Sequence, residues 1–280
     1  MTTLVFGKTG QVAHALQQQV QVTALDRAAA DLSDPAACFA AVMAHKPDVV
    51  INAAAYTAVD RAEEEPALAH LINADAPAAM AQACADLGIP FLHVSTDYVF
   101  DGTGITPWAV DAPIAPVSVY GRTKAAGEDA VWAAGGQHAI LRTSWVFSDH
   151  GANFVKTMLR LSETRDALSV VDDQIGGPTP ASGIAAALLT MAQAMQDGQK
   201  GGIYHYAGTP AVSWKCFARE TFKAAERDVL VTGIPTVDYP TPAIRPLNSR
   251  LDCSTLETDF RIKPPNWKAD LAKIVSNLVQ

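Results

Sequence analysis

The first twenty residues restrict the fold more than any other stretch. Thr3-Leu4-Val5-Phe6 is a short apolar run, and Gly7-Lys8-Thr9-Gly10-Gln11-Val12-Ala13 is a glycine-rich turn. Ala15, Leu16 and Val20 then continue with the apolar spacing of a helix. Strand, glycine turn and helix in that order are the context in which a glycine fingerprint acquires meaning. Gly7 permits the tight turn, Gly10 lets the backbone approach a pyrophosphate, and Ala13 is small enough for close helix–strand packing. The helix N-terminus offers free N–H groups and a positive dipole end to phosphates. The spacing G-x-x-G-x-x-A is a variant of the usual fingerprint and is weak alone. It does not match the G-x-x-x-x-G-K-[ST] spacing of a P-loop.

The following residues repeat the alternation. Val22-Thr23-Ala24-Leu25 reads as a second strand ending at Asp26-Arg27. An acid there suits the adenosine ribose hydroxyls of NAD, and an Arg suits the 2′-phosphate of NADP, so the pair leaves NADH and NADPH both open. Asp34 reads as a helix cap, and Asp31 either joins the capping loop or reaches an adenine amine. Asp48-Val49-Val50-Ile51 is a third strand. Small residues after it, Ala54 among them, let a flat cofactor lie against the backbone, or else begin a helix capped by Asn52. Asp60 to Glu65 reads as a solvated acidic turn, and Leu68 to Leu87 as a helix kinked before Pro77 and closed by Gly88. Phe91-Leu92-His93-Val94-Ser95 is the next strand, in which His93 reads as a buried, satisfied histidine rather than a catalytic one. On this reading five strands alternate with helices up to Lys124. Repeated βαβ units imply an α/β fold of Rossmann type, a doubly wound parallel sheet. Ligands of such sheets lie beyond the carboxyl ends of the strands, where Gly7, Asp26, Ala54 and Thr96 all fall.

Thr96 opens the stretch that carries the chemistry. A hydroxyl ends the strand, and Tyr120-Gly121-Arg122-Thr123-Lys124 follows on a helix. Positions i and i+4 share a helix face, so Tyr120 and Lys124 point into one space. An ammonium beside a phenol favours the phenolate and draws its pKa down, which suits a proton donor in carbonyl reduction. A bare Tyr-x-x-x-Lys also occurs on solvated helices; four strand-end features on one rim raise the catalytic reading above that one.

Ala139 to Thr143 adds a strand ending in Ser144-Trp145-Val146-Phe147. The division expected is a dinucleotide-binding domain over 1–147 and a mainly substrate-binding lobe over 148–280, with later segments returning to the sheet. In the lobe, Asn153 to Leu161 and Ala181 to Met195 read as helices, and Leu168 to Val171 and Gly202 to Tyr206 as strands. Pro235 to Pro246 must be mostly loop. Arg245 and Arg250 match the oxygens of a diphosphate in bidentate fashion, or form surface salt bridges.

Composition removes other classes. A formal net charge of −8 argues against a nucleic-acid surface. Cys38, Cys84, Cys216 and Cys253 lack C-x-x-C spacing, so a reducing cytoplasm is expected, without a zinc site or disulfide framework. No apolar run reaches the roughly 18 residues of a membrane span.

NAAAYTAVD, STDYVFDGTG, VYGRTKAAGE, RTSWVF, NFVKTMLRL, DDQIGGPT and YPTPAIRPLNSRLD, with the glycine turn, together resemble the dTDP-4-dehydrorhamnose reductase family of extended short-chain dehydrogenases/reductases. The resemblance implies reduction of a dTDP-linked 4-keto-6-deoxy sugar by NADPH or NADH. It implies Tyr120 as proton donor, Lys124 as its partner on the nicotinamide ribose, and Thr96 on the reacting oxygen. Asp97 and Trp145 would face the sugar, while Gly10, Gln11, Val12, Asp26, Asp31, Leu32, Ala55, Tyr56 and Thr57 would contact the cofactor. Tyr56 stands where the family often has His. Ala15 replaces a Glu that serves a dimer-bridging magnesium site in some members, so no metal is carried over, and a monomer or weak homodimer is expected. Rivals on the same fold are nucleotide-sugar epimerases or dehydratases, and a regulatory subunit resembling that of methionine adenosyltransferase.

Overall fold

The computed structural model describes residues 1–279. The first half runs β1 (Thr3–Phe6), α1 (Gln11–Gln19), β2 (Thr23–Leu25), α2 (Pro35–His45), β3 (Val49–Asn52), α3 (Val59–Ala62), α4 (Pro66–His70), α5 (Ala76–Leu87), β4 (Phe91–Thr96), α6 (Val119–Ala133) and β5 (His138–Thr143). The second half adds β6 (Val146–Phe147), α7 (Phe154–Leu161), β7 (Ala167–Val171), β8 (Ile175–Gly176), β9 (Thr179–Pro180), α8 (Ala181–Gln196) and β10 (Gly202–His205). It ends with β11 (Val212–Ser213), α9 (Trp214–Ala224), β12 (Leu230–Ile234), β13 (Asn248–Ser249), α10 (Ser254–Phe260) and α11 (Trp267–Val279).

Six strands form a parallel sheet in the order β10-β5-β4-β3-β1-β2. Four strands, not five, precede Lys124; β5 follows the helix that carries it. β1 and β3 are buried along their whole length, which is why they read as continuous apolar runs rather than alternating ones. One face of the sheet is covered by α1 and α8 through Val12, Leu16, Ile184 and Leu188. The other packs on Cys38, Val42, Met80, Cys84 and Val131 of α2, α5 and α6. Helices on both faces make the sheet doubly wound. β10 extends this sheet beside β5. Outside this sheet β7 pairs with β12, and β8 with β11 and β13, and a further core cluster includes Phe147, Phe217 and Trp267.

The acidic stretch 60–65 is not a solvated turn. Asp60 pairs with Arg245, and Glu63 Oε1 accepts the Val119 N–H at 2.8 Å, satisfying an orphan donor at the start of α6. The irregularity before Pro77 is a π-helical turn over Leu71–Asp75 between α4 and α5. Pro77 has no N–H to give the Asn73 carbonyl four residues back, so the ladder slips there.

Candidate active site

Helix α6 begins at a Ser118 cap whose hydroxyl accepts the Gly121 N–H at 3.1 Å. Two glycines bring it close to its neighbours. A Cβ on Gly121 would collide with the Tyr98 carbonyl, and one on Gly127 with the Asn73 carbonyl. Arg142 of β5 forks onto Glu128 of the same helix, Nη2 to Oε2 at 2.6 Å, and both side chains are buried. Thus α6 is held between β4, β5 and the π turn, with Tyr120 and Lys124 at the cleft end.

Thr96, at the end of β4, donates to Asp97 Oδ1 at 3.1 Å and accepts the Tyr98 N–H at 3.2 Å. Burial raises the Tyr120 phenol above its usual range; the Thr96 hydroxyl opposes this and the Asp97 charge adds to it. The Tyr98 ring meets Tyr120 edge-on at 5.4 Å. Lys124 does not draw the phenol down in this arrangement, contrary to the expectation from spacing. Its Nζ turns to β4, donating to the Val94 carbonyl at 2.8 Å and lying 3.1 Å from His93 Nε2. Burial lowers Lys124 to about 8, opposed by Glu128. Asp97 is raised to about 6 by burial, partly offset by the Ser249 and Thr96 hydroxyls, and among the described residues its Oδ2 lacks a hydrogen-bond partner.

These groups form one end of a cleft of about 850 Å³ that continues over the carboxyl edge of the sheet. Gly7, Gly10, Gln11, Val12, Ala54, Ala55 and Thr57 line its centre, and Asp26, Arg27, Asp31 and Leu32 its far end. Gly7 sits at φ +100°, where a side chain is strained, and a Cβ would reach Ala54 at 3.3 Å. Gly10 caps α1 with no side-chain bond, which leaves the first-turn N–H groups free. This cradle fits the pyrophosphate of a dinucleotide. Asp26 accepts the Ala28 and Ala29 N–H groups, each at 3.1 Å, and Lys8 Nζ at 3.3 Å, which hold its carboxyl below the usual range. Asp31 accepts the Ser33 N–H and Arg27 Nε and is held down to about 2. Asp34 caps α2 through the Ala37 N–H.

Not every anticipated residue reaches the cleft. Tyr56 turns away, because its hydroxyl donates to Glu65 Oε2 at 2.6 Å and its ring packs near Ala62 and Ala69. Arg250 does not line it either; its Nη1 donates to Asn248 Oδ1 at 2.9 Å. Arg245 does line it, paired with Asp60 at 2.6 Å and reaching the Tyr98 hydroxyl at 3.4 Å. Trp145 lines it at φ +49°, stacked at 3.5 Å on Trp214, with Gly176 leaving the room its indole needs. Trp214 and Lys8 are cleft residues that sequence reading passed over. Lys8 lay in view inside the glycine turn, whereas nothing in the spacing connects Trp214 to Trp145.

A glycine cradle, a carboxyl-edge cleft and a Thr/Tyr/Lys set at one end of it define an oxidoreductase of the short-chain dehydrogenase/reductase class. Within that class the chain belongs to the dTDP-4-dehydrorhamnose reductase family: the model "RmlD substrate binding domain" matches residues 1–280. The dTDP-4-dehydrorhamnose reductase of Sinorhizobium fredii (strain NBRC 101917 / NGR234) is 44% identical, covering 98% of this chain and 97% of its own. A crystal structure of a dTDP-4-dehydrorhamnose reductase from Clostridium acetobutylicum superimposes with a TM-score of 0.94 at 36% identity over 100% of both chains. That of Bacillus anthracis str. Ames, in complex with NADP, gives 0.92 at 32% identity over 99% of this chain and 100% of that one.

Proposed function

We propose that this protein reduces the 4-keto group of dTDP-4-dehydro-6-deoxy-L-mannose with NADPH or NADH, yielding dTDP-L-rhamnose. The observation that carries the reading is that Thr96, Tyr120 and Lys124 line the cleft that also carries the glycine cradle. The names and the NADP complex of the relatives support the sugar and the cofactor.

The reduced nicotinamide, when bound, supplies the hydride. The N-terminus of α1 and Gly7 hold the pyrophosphate, and Asp26 with Lys8 and Arg27 receives the adenosine ribose. Thr96 Oγ1 orients the carbonyl oxygen at C4. Tyr120 Oη gives that oxygen its proton; the raised phenol pKa keeps the proton in place until negative charge develops on the substrate. Trp145 covers one sugar face, and Arg245 exchanges Asp60 for a diphosphate oxygen. The region 148–280 supplies most of the sugar site. Assembly as a monomer or weak homodimer and a cytoplasmic location complete the reading. Among the described residues no helix is long and apolar enough to cross a membrane.

The test follows NADPH and NADH oxidation with dTDP-4-dehydrorhamnose and identifies the sugar formed. Stoichiometric oxidation with dTDP-L-rhamnose as product is the expected result. A product made with no net oxidation would assign an epimerase instead.

A further inference from the structure

We propose that His93 and Asn52 form a dock that accepts Lys124 only as the uncharged amine, which makes His93 a positioning residue for the lysine. The proposal rests on the role given to Lys124 above, but its first test does not.

Asn52, fully buried at the end of β3, accepts the Ala54 N–H through Oδ1 at 3.1 Å. That contact fixes the amide, since the flipped side chain would set Nδ2 against an N–H donor. Asn52 Nδ2 therefore points at His93 Nδ1, 3.1 Å away, and Nδ1 must accept. His93 is fully buried, and burial, the largest cause, keeps its ring uncharged. A neutral imidazole has one donor and one acceptor, so its proton lies on Nε2. Nε2 faces Lys124 Nζ at 3.1 Å. An ammonium has three donors and no acceptor, so it would set N–H against N–H. An amine has a lone pair. It receives the His93 proton donor and itself donates to the Val94 carbonyl. The lowered pKa of Lys124 agrees with this count.

The surroundings supply little competing charge. On its own helix Lys124 faces Glu128 one turn on, and that carboxylate is already held by Arg142 of β5 and the Ser95 hydroxyl of β4. β4 and β3 otherwise present His93, Ser95 and Asn52; Asp97 acts on Tyr120 and Tyr98. Protonation thus ejects Nζ from the dock toward the cleft that Lys124 also lines. In turnover Tyr120 gives up its proton and must regain one. When an Nζ–H bond breaks and the phenol O–H re-forms, the amine left behind is the form that the dock accepts.

Long-range proton–nitrogen spectra of the cofactor-free protein with labelled histidine read the tautomer directly, with His93 assigned by its loss in His93→Gln. The Nε2–H form with bare Nδ1 is expected; the Nδ1–H form overturns the dock. Asn52→Asp then gives Nδ1 an acceptor. The His93 proton should move to Nδ1, Nε2 should accept from the ammonium, and the alkaline fall of kcat/KM should move up by at least one pH unit. A tautomer unchanged in Asn52→Asp also overturns the dock. A wild-type protein with the expected tautomer but no reduction of the keto sugar leaves the dock standing and removes the reductase reading instead.

Discussion

Asp97 has a carboxyl that burial holds at about 6, with one oxygen unpartnered among the described residues, at the edge of the reactive end of the cleft. An acid whose folded pKa is raised stabilises the fold below its unfolded value of 3.8 and loses that contribution as pH rises to about 6. Asp97→Asn has no charge to bury. Its stability relative to the wild type should therefore rise across that window, by about 3 kcal/mol at most, and stay level above it. Urea unfolding of both proteins between pH 4 and pH 8 measures this; a constant difference would mean that Asp97 is ionised throughout. Tyr120 is raised by the same burial, so its hydroxyl is a donor at neutral pH without help from Lys124. Tyr120→Phe removes the donor and little volume. Turnover should fall on the order of 10²-fold or more while cofactor affinity stays within a few fold, as steady-state kinetics and a binding titration would read.

Elements set these residues in place through contacts that leave different traces in the sequence. The alternation of strands with helices was legible because parallel strands are buried on both faces and spell continuous apolar runs. The glycine cradle and the Tyr-x-x-x-Lys pair were legible because local spacing fixes their geometry. The direction in which Lys124 points was not, since it depends on a carbonyl and a histidine about thirty residues away on β4. Arg250 and Tyr56 fall outside the cleft lining for a more local reason: an Asn two residues before and a Glu nine residues on take their polar groups. The approach of α6 to the π turn is also a tertiary matter, although Pro77 marked the site. Gly127→Ala would press a methyl on the Asn73 carbonyl and displace α6 as a body. The expected loss is about 1–3 kcal/mol of stability, as for other overpacked sites. A fall in kcat is expected too, because Tyr120 and Lys124 ride on the helix. Thermal unfolding and kcat measured together check it; a stable variant with normal kcat would show that α6 has slack. Glu128→Gln tests the contact of the same helix with β5. It leaves the Arg142 charge buried without its counterion, at about 3–5 kcal/mol.

At the scale of the whole molecule the charge is acidic, a formal −8, yet the rim that meets phosphates is not. Lys8 and Arg27 stand at the far end of the cleft, and Arg245 lines its reactive side. The first two are held by Asp26 and Asp31, so each basic group arrives paired with an acid across partly exposed contacts. Such pairs contribute little to folding, on the order of 0–1 kcal/mol, and can reopen toward a ligand at small cost. A 2′-phosphate would take Lys8 and Arg27 from their carboxylates, whereas a free ribose would use Asp26 as it stands. The two cofactors should therefore respond differently to the same change. Lys8→Ala together with Arg27→Ala should raise the KM for NADPH by about tenfold and leave that for NADH within about twofold, since two partly exposed phosphate pairs at about 0.7 kcal/mol each amount to about tenfold. Added salt should shrink the NADPH effect, because exposed charges are screened beyond about 8–10 Å at ordinary ionic strength. Equal changes for both cofactors, independent of salt, would assign the two cations to the shape of the turn rather than to recognition of the phosphate.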